Sequence, residues 1–188
     1  MKASISADAM TNELTITIQD VDWEKNCRAS FYAGEVQVRE LLQVIGQALT
    51  VELLSRKDVT APRVKEGEPT YYRKEATPGH YQTLYGEVVV RRHLYQSSAG
   101  GETVCPLEQN CQLSFGSATP LLAEVVSFKL ASQTAGEVEQ DLAKCQGLAL
   151  SDTYLRALGE QVGQLAVEKA EGWQLCGPAL TAPVATIA

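Results

Sequence analysis

The sequence predicts an α+β fold, with a small strand and β-hairpin region ahead of a three-helix block of helix-turn-helix outline. Three observations carry that expectation. Leu14, Ile16 and Ile18 alternate with Thr15, Thr17 and Gln19, and Gly86 to Tyr95 is rich in β-branched and aromatic residues, as half-buried strands are. Val38, Leu41, Leu42, Ile45 and Leu49 recur at helical spacing. Three helix-start signals then follow one another at Thr119-Pro120, Thr134 and Ser151.

Each element has a local cause. The Leu14–Ile18 alternation predicts a short strand with one buried face. Gly34 precedes an amphipathic helix expected over about 35–55, whose apolar stripe suits core packing first and a dimer seam second. Residues 58–80 mix Pro62, Pro69, Pro78 and Gly67 with charges and no periodicity, so they read as a basic linker. In the next strand Val88, Val90 and Leu94 share a face with Arg92, while Val89 and Tyr95 share the other with Arg91 and His93. The Ser97–Gly101 cluster forms a turn, and Glu102 to Cys105 return as the second arm of a hairpin.

The back half is helical. Pro120 fits a first helical position, where no amide partner is lost, and Leu121, Leu122, Val125, Val126, Phe128 and Leu130 make that helix largely apolar. Thr134-Ala-Gly-Glu137 matches a capping box, in which the Thr hydroxyl and the Glu carboxylate satisfy each other's free amides. That second helix carries Val138, Leu142 and Cys145 and stops at Gly147, which tolerates a left-handed conformation. Ser151 can cap a third helix with Leu155, Leu158, Val162 and Leu165 inward. The resulting division is 1–57 for the N-terminal strand and helix, 58–80 for the linker, 81–118 for the hairpin region, 119–172 for the helical block and 173–188 for a tail.

Composition sets the outer bounds. A chain of 188 residues, 45% hydrophobic and 21% charged, is ordinary for a globular protein of one domain or two small ones. No apolar run approaches the ~18–20 residues that span a bilayer, and the first twenty residues lack a signal-peptide pattern. No membrane partner and a cytoplasmic location are the expectation. Five cysteines, an odd number at irregular spacing, suit reduced thiols better than a disulfide framework.

The net charge of −7 speaks against broad phosphate binding, but charge is unevenly placed. Arg56 to Arg92 holds eight cations against five anions, a balance of +3, whereas Thr119 to Glu171 holds four against eight, a balance of −4.

Helix, Gly-containing turn and longer helix make a helix-turn-helix arrangement. If the third helix enters a major groove, Thr153, Tyr154, Arg156, Ala157, Gln161 and Gln164 face it, and Arg and Gln can pair bidentately with guanine and adenine. A solvated helix face is the plainer alternative. Cys105 and Cys111, with His80 and His93, suggest zinc only weakly, because five residues separate the cysteines and the histidines lie on other segments. No nucleophile elbow, phosphate-binding glycine loop or His-Glu-x-x-His is present, and no catalytic residue is assigned.

Tyr85-Gly-Glu-Val-Val-Val-Arg-Arg-His-Leu-Tyr-Gln96, followed by Gly100-Gly-Glu-Thr-Val-Cys-Pro-Leu-Glu108, resembles the N-terminal half of the Kra-type insertion-sequence transposases, which are DDE enzymes. The likeness covers about 71–170 well and the first seventy residues loosely. It implies a DNA-binding segment that recognises element ends in double-stranded DNA, with Arg91, Arg92, the linker cations and Lys144 on phosphates and Thr153, Arg156 and Gln161 reading bases. Pro183 to Ala188 looks like the opening of the first catalytic strand, before the first acidic ligand of that class. The family's magnesium ions would therefore have no ligands here, and the chain alone is expected to be inactive. A different class of reading is a protein-interaction module that forms a homodimer or docks a separate catalytic chain. A third is a non-functional transposase remnant.

Overall fold

The computed structural model describes residues 2–8, 13–19, 30–65, 70–98, 100–101, 103–113 and 117–174. Among them the architecture is mixed α+β, as the sequence predicts. The Pro183–Ala188 reading and the thiols of Cys27 and Cys176 lie outside the described residues.

Strands β1 (Lys2–Asp8) and β2 (Glu13–Gln19) pair antiparallel, Ile5 opposite Ile16. The alternation has the expected outcome: Ile16 and Ile18 are half-buried and Thr15 and Thr17 exposed. Helix α1 (Phe31–Lys57) begins where Ser30 Oγ accepts from the Ala33 amide at 3.1 Å. Arg56 and Lys57 lie in its last turn, where cations suit the helix dipole.

A second antiparallel sheet runs β3 (Arg63–Lys65), β4 (Thr70–Thr83), β5 (Gly86–Ser97) and β6 (Thr103–Val104), in that order. Within the expected linker, residues 63–65 and 70–80 are therefore strand. Arg63–Lys65 pairs with Thr70–Tyr72, and β4 pairs along β5 from Tyr71↔Ser97 to Thr83↔Gly86. Sequence periodicity could not show this, because backbone pairing supplies the order. Pro78 is tolerated because β3 flanks β4 only at Thr70–Tyr72, which leaves no strand beside Pro78 on that side among the described residues. A two-residue turn at Leu84–Tyr85 joins β4 to β5, and Gly86 takes φ 109°.

Helix α2 (Pro106–Asn110) follows β6 and covers one sheet face. There Tyr81, Val88, Val90, Cys105, Leu107 and Leu54 of α1 form one core. The other face opens at Val89 and Arg91 yet closes at Tyr95, which is fully buried. The segment leaving α1 crosses that end, and the Tyr95 hydroxyl lies 2.8 Å from the Val59 and Ala61 carbonyls.

Helices α3 (Pro120–Leu130), α4 (Ala135–Asp141) and α5 (Asp152–Gln174) form the second core, with a π-helical turn (Leu142–Gln146) after α4. Leu122, Val126, Val138, Leu142, Leu148, Leu155 and Leu158 meet there. Leu165, expected inward, is exposed, and so is Phe128 of the apolar α3, because α3 and α5 pack along their Leu122/Val126 and Leu155/Leu158 edges. Cys145 is exposed as well, since the wider π turn carries the chain past the core-facing phase of α4. No helix among the described residues is long and apolar enough to cross a membrane.

The α1 stripe departs from expectation in the most consequential way. Leu41 is buried, but Val38, Leu42 and Leu49 are exposed. Besides Leu41, Leu54 and Val51, the helix packs by its polar and small side. Gln47 Nε2 donates to Tyr85 O at 2.9 Å, Arg39 Nη1 donates to Lys144 O at 3.1 Å and Gln43 Nε2 donates to Gln146 O. A Cβ on buried Gly46 would lie 2.3 Å from the Tyr85 ring, so only glycine admits that approach.

Candidate nucleic-acid interface

The helix-turn-helix outline forms through specific local chemistry. Thr134 Oγ1 accepts from the Glu137 amide at 3.4 Å and Glu137 Oε2 accepts from the Thr134 amide at 2.7 Å, which completes the capping box. The Thr134 amide and its hydroxyl, which donates to Glu137 Oε2 at 2.8 Å, hold the Glu137 carboxyl below its usual pKa. The chain leaves the π turn through Gly147 at φ 68°, and the Leu148 amide donates back to Leu142 O at 3.1 Å. Ser151 caps α5, its hydroxyl accepting from the Tyr154 amide at 3.3 Å.

The turn is also braced from outside. Helix C-termini leave carbonyls without intrahelical partners, and here Arg39 and Gln43 of α1 reach those of Lys144 and Gln146. A Cβ on Gly147 would stand 2.7 Å from Gln43 Nε2. Sequence reasoning missed Arg39 and Gln43. The available signal was their i,i+4 spacing beside Gly46 and Gln47, which is easily taken for a solvated face. At the other end Gln82 N donates to Ser117 O at 2.6 Å and Thr119 N donates to Gln82 O at 3.0 Å, linking β4 to the start of α3.

The predicted residues divide between the surface and the interior. Thr153, Arg156 and Gln164 are exposed on one side of α5, and the Lys144 side chain is exposed on the π turn. Arg156 Nη2 lies 3.5 Å from Asp152 Oδ2, and Glu160 follows on the same side. Tyr154 instead packs against the core, and burial raises its phenol pKa. Gln161 is half-buried with its amide oxygen turned from solvent. Neither side chain faces a groove, because Tyr154 and Gln161 share the helix phase that packs inward with Leu158.

On the hairpin, Arg91 is exposed. Arg92 is not available to phosphate: it forms an ion pair with Glu108, donates to Tyr81 Oη at 3.2 Å and stacks 5.8 Å from the Tyr81 ring centre. Burial pushes the Tyr81 phenol up to about 12 although Arg92 opposes the shift. Of the cations in 58–80, Arg63 and Lys74 are exposed, whereas Arg73 is tied to the chain leaving α1; Arg56, at the end of α1, is also paired. Arg73 Nη1 donates to Thr60 O at 2.5 Å and Arg56 pairs with Glu52 at 2.8 Å.

The zinc alternative finds no converging ligands. His80 Nδ1 lies 2.6 Å from Glu87 and His93 Nδ1 2.7 Å from Asp58, while Cys105 accepts a long contact from Arg92. Burial raises the thiol pKa of Cys105 and Cys111, and with Cys145 they are free thiols. Among the described residues no group of three or more His, Cys, Asp or Glu is placed to hold a metal ion.

Compared with protein-family models, curated proteins and solved structures, the chain matches none.

Proposed function

We propose that this chain is a double-stranded-DNA-binding module, acting as the N-terminal part of an insertion-sequence transposase that recognises element ends. The observation that supports it most is the geometry of the turn. Gly147 and the π turn set α5 against α4 as a braced helix-turn-helix, with Thr153 and Arg156 exposed on the first turns of α5. The resemblance of Tyr85–Gln96 and Gly100–Glu108 to the Kra-type transposases supplies the element-end substrate. Arg156 would read guanine and Thr153 a neighbouring base, while Lys144, Arg91 and Gln164 would meet backbone or base edges.

Asp152 competes with DNA for Arg156, so affinity is tunable at one carboxylate. Fluorescence anisotropy on the element's terminal inverted repeat tests the reading. Arg156→Ala weakens binding and relaxes sequence preference, whereas Asp152→Asn tightens it several-fold. Equal affinity of the wild-type chain for a scrambled duplex at every salt concentration removes the recognition claim.

A second reading, that the chain pairs with another protein, is favoured by the exposed apolar side of α1. The two readings use different surfaces and are compatible.

A further inference from the structure

The exposed side of α1 carries an apolar strip, interrupted near its N-terminal end by the exposed Glu35. Phe31 is 84% exposed, and Val38, Leu42, Leu49 and Leu53 follow along the same side of the helix at 37–59%. From Phe31 to Leu53 the strip runs about 33 Å at the usual helical rise. Phe31 presents roughly 180 Å² and the four aliphatic side chains roughly 300 Å² more. A patch of that size is at the upper end of what monomers expose, and such patches are often interaction sites. The total is close to the apolar share of one side of a standard homodimer interface, about 65% of ~800 Å².

The ends of the strip differ in shape. At the N-terminal end Phe31 projects almost free beside a shallow cleft with Gly34, Val38 and Leu42. At the C-terminal end a cavity of 440 Å³ opens between α1, the β4–β5 turn and the start of α3, lined by Thr50, Leu53, Leu54, Tyr85, Leu113 and Leu121. One molecule thus carries both an aromatic knob and an apolar recess, at opposite ends of one helix. A two-fold axis through Leu42 brings each knob to the other copy's recess, and an isologous interface requires that self-complementarity.

We infer that α1 is the dimer seam of this protein: two copies pair their α1 helices antiparallel, Leu42 against Leu42 at the axis and Phe31 of each copy in the cavity beside Leu53 of the other. This deepens the pairing reading above by naming its partner, and it does not depend on DNA contact. The polar side of α1 stays on its own chain through Arg39, Gln43 and Gln47, so the seam and the helix-turn-helix brace occupy different sides of one helix.

Sedimentation equilibrium of the full chain at micromolar concentration tests the seam. A dimer is expected, with Leu42→Glu weakening it at least tenfold while far-UV circular dichroism stays unchanged, because Leu42 is already 59% exposed in the single chain. Oxidative cross-linking tests the direction. Leu42→Cys is expected to yield a reducible covalent dimer above the wild-type background. Phe31→Cys is expected to do so only when combined with Leu53→Cys. A monomeric wild-type chain, or a dimer indifferent to Leu42→Glu, overturns the seam. Cross-linking of Phe31→Cys alone overturns the antiparallel arrangement. Deletion of residues 175–188 converting a wild-type monomer into a dimer assigns the strip to that tail and overturns the second copy as its native occupant. Anisotropy of Arg156→Ala separates loss of DNA contact from loss of pairing.

Discussion

Replacing Gly147 by alanine perturbs the turn that positions α5 in two separable ways. The residue sits at φ 68°, where a Cβ costs ~1–2 kcal/mol. The same Cβ would stand 2.7 Å from Gln43 Nε2 and break its bond to Gln146 O, worth ~0.5–1.5 kcal/mol. Together the loss is about 2–3 kcal/mol, a fall in melting temperature of roughly 5–10 °C for a chain of this size. Gln43→Ala removes only the hydrogen bond and should cost about 1 kcal/mol. The double variant should fall short of the sum of the two by about the value of that bond, since Gly147→Ala has already broken it. Thermal melts by circular dichroism at one fixed protein concentration measure all three variants. A Gly147→Ala chain melting within about 1 °C of wild type, or strict additivity with Gln43→Ala, refutes the brace between α1 and the turn.

Three further outcomes are expected. Thr134→Ala removes the hydroxyl of the capping box and should cost about 1 kcal/mol, read as a melting shift of ~2–4 °C. Arg92→Met leaves the part-buried Glu108 without its cation and should destabilise by about 2 kcal/mol with no change in DNA affinity; weaker DNA binding at unchanged melting temperature would make Arg92 a surface contact instead. The Tyr81 phenol ionises near 10.0 when unfolded and near about 12 when folded, so the folded state holds its proton more tightly. That contribution is fully present below pH 10 and is lost as pH rises from 10 toward 12, so a pH series of denaturant melts should show a decline there that Tyr81→Phe flattens.

Much of this protein follows from near neighbours in the chain, and those parts were legible in the sequence alone. The Leu14–Ile18 alternation, the Thr119-Pro120 start, the Thr134/Glu137 box, the Gly147 stop and the Ser151 cap each depend on residues within a turn of one another. Tertiary structure decided which surfaces those elements present. Residues 63–65 and 70–80 became strands because they pair with each other and with β5, partners that no local pattern records. Arg92 was drawn inside by Glu108 and Tyr81, distant in sequence, and so left Arg91 as the exposed cation of that pair. Helix α1 has an apolar side and a polar, small-residue side, and hydrophobicity alone assigns the first to the core. The chain turns the second toward its own neighbours, alongside buried Leu41 and Leu54, because Arg39, Gln43 and Gln47 find unpaired carbonyls and Gly46 fits under Tyr85, contacts that exist only once the hairpin and the π turn have folded beside it.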